Sequence, residues 1–304
     1  MPKALLAPRY WLTWAGLGLM RFIERLPYPA MMVVGRNIGR LAYRLPLGFK
    51  KVARRNISLC LPELDAVDRE QLVRRHFEAL GMALCESAMT WWSSEERILG
   101  LSRVEGLEHL EVALARGKGA ILLTAHFTTL EISASIMNFT RPVNVLYRPP
   151  KNALLAHVAH ARRSGRALKR ASKVILRDDI RTMIRSLKDN EAVWYAPDQA
   201  YRKKGAEMVP FFGVPAATNV FTSRLAQMTG AAVLFYSHER LPRARGYRVV
   251  LHPPLEDFPS GDPIEDTLRY HRHIESEVRR IPEQYWWIHR RFKGLDVGYP
   301  DPYR

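Results

Sequence analysis

Between Ala120 and Leu251, short apolar runs alternate with helical patterns, and this alternation constrains the fold more than any other feature of the chain. Ala120–Ala125 (AILLTA), Val143–Tyr147, Lys173–Leu176, Ala192–Ala196 (AVWYA), Ala231–Ser237 and Tyr247–Leu251 read as strands. Thr129–Met137, Ala153–Arg170, Asp178–Asp189, Thr222–Met228 and Pro263–Arg280 read as helices between or after them. Such alternation predicts an α/β fold with a mainly parallel central sheet, covered by helices on both faces. In sheets of this kind, chemistry collects at the C-terminal ends of the strands. His126, Arg148, Arg177 and Asp198 each follow a predicted strand directly or within a few residues. Four strand ends carrying polar residues point to one edge of the sheet as the site.

Upstream of the alternation the texture differs. Asp65–Thr90 has apolar residues at helical spacing, and Ser93 or Ser94 is placed to cap a short helix over Glu95–Leu99. Residues 1–48 are apolar, aromatic and basic, and are expected to form an N-terminal membrane-associating helical region ahead of an α/β domain over 49–304. Tyr10–Ile23 (YWLTWAGLGLMRFI) is interrupted at Arg21 and ended by Glu24, Arg25 and Pro27. It falls short of the roughly 18–20 apolar residues that a spanning helix needs. No small-residue cleavage site follows it, so a removable signal peptide is not expected. Tryptophans, apolar faces and arginines together suit helices lying in a membrane interface.

Composition narrows the partners. Lysine and arginine number 47 against 30 aspartates and glutamates, a formal net charge of +17. That excess calls for an anionic partner: nucleic acid, an anionic membrane, a phosphorylated lipid or an acidic carrier protein. No nucleic-acid reading module and no basic–aromatic interleaving on one element is present, so nucleic acid is not expected. The run Arg162, Arg163, Arg166, Lys169, Arg170 and the run Arg202, Lys203, Lys204 are candidate basic rims. The two cysteines, Cys60 and Cys85, sit among apolar residues; they exclude a disulfide scaffold and are expected to be buried and inert. GxGxxG, Walker A, GxSxG and HExxH motifs are absent. His157 and His160 lack a carboxylate or cysteine to complete a metal site, so no metal and no bound cofactor is expected.

The stretch AHFTTLE (125–131) supports two readings. Thr128 and Glu131 form a T-x-x-E capping box at a helix start. The same geometry lets Glu131 reach back to His126, fixing its tautomer and leaving the other ring nitrogen as a base. The two readings are compatible. No serine or cysteine nucleophile is needed if the substrate supplies its own hydroxyl.

These residues carry a resemblance. PRYWLTW (8–14), LPYP (26–29), ARRNISLCLPEL (53–64), FEALGMALCESAMTWW (77–92), AHFTTLE, YRPPKN (147–152), VWYAPDQ (193–199), VPFFGVPAATN (209–219) and PEQYWWIHRRFK (282–293) together resemble the late acyltransferases of lipid A biosynthesis. The likeness is strongest to their lauroyl branch, within the glycerolipid acyltransferases marked by His-x4-Asp/Glu. The resemblance implies transfer of a fatty acyl chain from acyl carrier protein to a hydroxyl of a 3-hydroxyacyl chain on a Kdo-bearing lipid A precursor, in lipopolysaccharide biosynthesis. The alternative acceptor is another glycolipid or a glycerolipid. It implies work at the cytoplasmic face of the bacterial inner membrane, with anionic lipids, the carrier protein and the lipid A precursor as partners. By the motif match His126 is the general base and Glu131 its orienting partner. Arg148, Arg177, Asp198 and Gln199 fall where the family keeps substrate-binding or oxyanion residues. Family members usually have a longer apolar N-terminal span than the one interrupted here at Arg21, Glu24 and Arg25.

Overall fold

The computed structural model describes residues 2–169, 172–294 and 299–303, with the backbone only for 163–169. Of the basic run at 162–170, the side chains beyond Arg162 therefore lie outside the described residues. The N-terminal part is helical: α1 (Trp11–Glu24), α2 (Tyr28–Arg44), α3 (Gly48–Cys60), α4 (Ala66–Trp92) and α5 (Glu95–Leu99). Then follow β1 (Ser102–Glu105), α6 (Leu107–Ala115), β2 (Ala120–Leu123), α7 (Leu130–Thr140), β3 (Asn144–Tyr147), α8 (Ala153–Lys169) and β4 (Val174–Leu176). The remainder comprises α9 (Ile180–Lys188), β5 (Ala192–Tyr195), β6 (Ala206–Phe211), β7 (Val214–Asn219), α10 (Phe221–Thr229), β8 (Ala232–Arg240), β9 (Tyr247–Pro254) and α11 (Pro263–Arg280). Asp65 caps α4 by accepting from the Asp68 N–H, and Ser94 caps α5 by accepting from the Arg97 N–H. Among the described residues, no helix is long and apolar enough to cross a membrane.

Seven strands form one sheet in the order β1-β9-β8-β2-β5-β3-β4. Every pairing is parallel except β8 with β9. The α/β fold with a mainly parallel, helix-covered sheet is thus as the alternation predicts. β2 is central and buried along its whole length. Its side chains alternate between two cores: Ile121 and Leu123 face the layer of α3, α4, α10 and α11, whereas Ala120 and Leu122 face that of α2, α6 and α7. β6 and β7 form a separate antiparallel hairpin whose turn residues, Phe212 and Gly213, both have positive φ. The sequence reading missed β1 and this hairpin. β1 is a four-residue edge strand with alternating burial, and the hairpin is broken by Pro210 and Pro215. Both lack the long apolar run on which the reading relied.

α2 and α4 cross with their backbones nearly touching. A Cβ on Gly81 would stand 2.1 Å from the Gly35 carbonyl oxygen, so only glycine permits the approach. Thus α2, although rich in exposed apolar and basic residues, is fastened to α4. α4 in turn is tied to the sheet by a buried ion pair: Arg240, at the end of β8, donates from Nε and, at 2.7 Å, from Nη2 to the Glu86 carboxylate. This explains a further departure from the sequence reading, which stopped the strand at Ser237. His238, Glu239 and Arg240 are all buried, and β8 continues because each has a partner: the Thr129 hydroxyl, the half-exposed Arg280 guanidinium and the Glu86 carboxylate respectively. The pair extends to the C-terminal segment, where the Gln284 amide accepts from the Arg240 N–H (2.8 Å) and donates to its carbonyl (3.0 Å).

Glu86→Ala leaves a buried, uncompensated guanidinium. We expect it to lower the unfolding free energy by about 3–5 kcal/mol, read from urea denaturation. A loss below about 1 kcal/mol would show that water reaches and solvates Arg240.

Candidate active site

The parallel pairing of β2 with β5 sets Leu123 beside Tyr195. Three residues past those partners stand His126 and Asp198, so the register carries the two side chains to the same point above the sheet edge. His126 Nδ1 lies 2.5 Å from Asp198 Oδ1, and the His126 backbone N–H donates to Oδ2 at 3.0 Å. Tyr285 Oη adds a third hydrogen bond, donating to Oδ2 at 3.1 Å. Asp198 is buried, with its side chain 1% exposed. Burial alone would raise its carboxyl, but attraction to the His126 ring and the hydrogen bonds from His126 outweigh burial, and Arg291 adds to them. Its pKa is lowered to about 2. An ionised carboxylate only accepts, so His126 Nδ1 carries the proton and Nε2 presents its lone pair. His126 is 23% exposed, and among the described residues Nε2 has no protein partner. This arrangement can remove a proton from a group that enters the cleft.

The loop from β2 to α7 is clamped on both sides. The Thr124 N–H donates to the Tyr195 carbonyl (2.9 Å), and the Thr129 hydroxyl meets His238 Nδ1 at 2.8 Å. The segment after α11 lies against it: Thr128 N–H donates to Gln284 O (2.7 Å), and Trp286 N–H donates to His126 O (2.9 Å). That segment is held from beneath by Asn56 of α3, whose amide donates to the carbonyls of Trp287 and His289, each at 2.6 Å. A narrow cleft results, lined by His126, Asp198, Gln199, Tyr285, His289 and Arg291 among others. Arg291 is buried and donates to Ala217 O and Thr218 Oγ1.

Of the residues singled out from sequence, His126, Asp198 and Gln199 come together here. Glu131 is the second residue of the next helix and lines a different cavity, with Trp91, Ala134, Phe139, Arg162 and Lys173. The partner found on His126 Nδ1 is thus Asp198. The expected capping bond from Thr128 is not made: α7 begins at Leu130 with Thr129 at its cap, and the Thr128 hydroxyl is buried without a hydrogen-bond partner among the described residues. Arg148 and Arg177 stand exposed past the ends of β3 and β4, outside the lining of the His126 cavity. The Arg177 side chain approaches Asp178 at 3.8 Å. Sequence reasoning assigned no role to Tyr285, His289 or Asn56. Their signal was present in the motifs PEQYWWIHRRFK and ARRNISLCLPEL, but nothing local ties either motif to His126. Cys60 and Cys85 are buried and free, as expected.

The sequence profile described as bacterial lipid A biosynthesis acyltransferase matches residues 1–294. The chain is 38% identical over 298 residues to the lipid A biosynthesis palmitoleoyltransferase of Escherichia coli (strain K12), covering 97% of this chain and 95% of that one. It is also 38% identical over 308 residues to the lipid A biosynthesis lauroyltransferase of the same organism, covering 100% and 99%. Identity to its lipid A biosynthesis myristoyltransferase is 27% over 307 residues, covering 99% and 93%.

Three buried histidines and the partly buried His289 shape the acid response of the fold. Burial pushes His76 and His289 down to about 4, and His238 and His271 down to about 3. Each is neutral when folded but takes a proton near its ordinary value of 6.5 once unfolded. Between those values the unfolded chain binds more protons, so stability falls as pH falls. We expect the melting temperature to decline steadily from about pH 6.5 downward, well before carboxylates with ordinary pKa values of about 4 begin to titrate. A flat melting temperature from pH 7 to 5 in scanning calorimetry would contradict this.

Proposed function

The chain belongs to the bacterial lipid A biosynthesis acyltransferases, and on that premise we propose that it moves a lauroyl or similar acyl chain from acyl carrier protein to a hydroxyl of a 3-hydroxyacyl chain on a Kdo-bearing lipid A precursor. The contact between His126 and Asp198 carries the reading of the site. His126 Nε2 takes the proton of the acceptor hydroxyl as its oxygen attacks the thioester carbonyl carbon. The tetrahedral intermediate collapses with cleavage of the C–S bond. The thiolate leaves on the carrier's phosphopantetheine arm and recovers the proton from His126. Asp198 holds the tautomer and stabilises the imidazolium while it lasts. Tyr285 holds the far oxygen of that carboxylate. Gln199 binds substrate in the cleft, and Arg148 and Arg177, free of the cleft's own hydrogen bonds, receive the phosphates of the acceptor. Glu131 lies on the neighbouring cavity, whose apolar walls suit an acyl chain, and is a second carboxylate close in sequence to the base.

Residues 1–48 form the membrane-associating region in this proposal, at the cytoplasmic face of the inner membrane. Trp11, Leu12, Leu19 and Phe22 on α1 are all more than half exposed, as are Val33 and Leu41 on α2. Arg21, Arg36, Arg40 and Arg44 stand among them. At 14 residues α1 measures about 21 Å, against a hydrocarbon core of about 30 Å. Lying flat, such helices bury apolar side chains while arginines meet anionic headgroups. The basic charge excess also suits an acidic carrier protein.

In transfer assays with acyl carrier protein donors and a lipid A precursor, His126→Ala and Asp198→Asn should each lose about 10²–10⁴-fold in kcat with circular dichroism unchanged. Glu131→Gln, run beside them, separates the two carboxylates. Wild-type transfer by both His126→Ala and Asp198→Asn would sink the assignment. Mass spectrometry of lipid A made with and without the enzyme reads the chain length added.

Replacing Trp11, Leu12 and Phe22 together by serine should weaken flotation with phosphatidylglycerol-containing vesicles at least tenfold, since each side chain buries about 1.5–3 kcal/mol of apolar surface when fully inserted. Unchanged flotation would place the membrane contact elsewhere.

A further inference from the structure

A thioester carbonyl attacked beside His126 becomes an oxyanion, and the main-chain donors of His126 and the two residues after it are already committed. The His126 N–H is held by Asp198, the Phe127 N–H by Ala125 O and the Thr128 N–H by Gln284 O. The buried Arg291 donates to Ala217 and Thr218. The cleft contains a second histidine, His289, whose chemistry is set by one backbone contact. The Ala200 N–H donates to His289 Nε2 at 3.0 Å. A backbone amide has no lone pair to offer, so Nε2 must be the unprotonated nitrogen, and the ring proton resides on Nδ1. Among the described residues Nδ1–H has no acceptor, and it is not among the sealed, partnerless polar atoms.

We propose that His289 Nδ1–H is a catalytic hydrogen-bond donor that stabilises the oxyanion while His126 acts as base. This deepens the acyl-transfer reading above and rests on it. The two rings line the same cavity. His289 is fixed before substrate arrives: its carbonyl accepts from the Asn56 amide (2.6 Å) and from the Arg291 N–H (2.8 Å), while its ring is pinned to Ala200. Such preorganisation makes a donor effective, because no reorientation is required as charge develops. The ring is also kept neutral. Burial lowers its pKa to about 4; Asp198 opposes that, and His126 and Arg291 add to it. It therefore does not compete with His126 for the proton of the acceptor. Nothing is transferred from Nδ1: the carbonyl oxygen gains the negative charge, Nδ1–H donates to it, and the charge returns to the C=O bond as the thiolate leaves.

Two amide substitutions separate this role from a structural one. In His289→Asn the side-chain NH2 takes the place of Nδ1, keeping the donor and losing the acceptor for Ala200. In His289→Gln the side-chain oxygen takes the place of Nε2, keeping that acceptor and losing the donor. With the full-length enzyme, an acyl carrier protein donor and a lipid A precursor, His289→Gln and His289→Ala should lose about 10²–10³-fold in kcat. KM should stay within a few-fold, and the pH profile should keep its shape. His289→Asn should stay within tenfold of wild type despite a lower melting temperature. Activity retained in the Gln variant, or a loss in the Asn variant equal to that in Gln, overturns the proposal. His126→Ala in the same assay keeps the two readings apart. If it alone is inactive, the base assignment stands and only the role of His289 fails.

Discussion

The register of β2 on β5 is the constraint on which the site depends. Leu123 pairs with Tyr195, and the same offset continued for three residues sets His126 against Asp198. A one-residue slip would turn every side chain of a strand to the opposite face. Both strands are buried on both faces, so a slip would put Ile121 and Leu123 into the wrong core. Packing of aliphatic side chains well below the cleft thereby fixes a hydrogen bond above it. The chemistry inherits its precision from the core rather than from the loops that bear it.

Register does not by itself keep the cleft closed beneath His126. That falls to the segment after α11, which is anchored from elements far apart in sequence. Asn56 comes from α3, Gln284 is fastened to the end of β8, and Arg240 is fastened to α4 through Glu86. A buried ion pair is a weak source of net stability, because two desolvated charges must first be compensated. Its effect here is geometric. Arg240 can sit at the buried end of β8 only while Glu86 neutralises it, and Gln284 can meet Arg240 only in one position. The N-terminal helices, whose outer faces carry the exposed apolar and basic residues, are thus mechanically continuous through α4 with the sheet edge that bears His126.

Much of this was legible in the chain. The period of the apolar residues marked α4, short apolar runs marked the central strands, Ser93 or Ser94 marked the start of α5 (Ser94 is the cap), and the strand ends brought His126 and Asp198 to one edge. The partner on the imidazole was less legible. Glu131 is five residues from His126 and fits a local pattern, whereas Asp198 is 72 residues away and becomes a neighbour only through strand pairing. Local reading favours the near carboxylate because sequence shows spacing and not adjacency in a sheet. The same limit hid Asn56, Tyr285 and His289, and it cut β8 short: buried His238 and Arg240 look like a strand end until Thr129 and Glu86 are beside them.

Three histidines around the cleft show how environment divides one residue type among tasks. His238 is sealed against Phe127 and the Thr129 hydroxyl, and burial drives it down to about 3. His289 is partly open, yet its ring contact is a backbone donor, which favours the neutral form and selects its tautomer. Of the three, only His126 meets a carboxylate, with Asp198 Oδ1 2.5 Å from its Nδ1. A base must become cationic during turnover, and a cation in a partly buried cleft needs a fixed anion beside it. On the proposed mechanism, committing Asp198 to one ring, with Tyr285 holding its other oxygen, suits His126 to take the proton while His238 and His289 stay neutral.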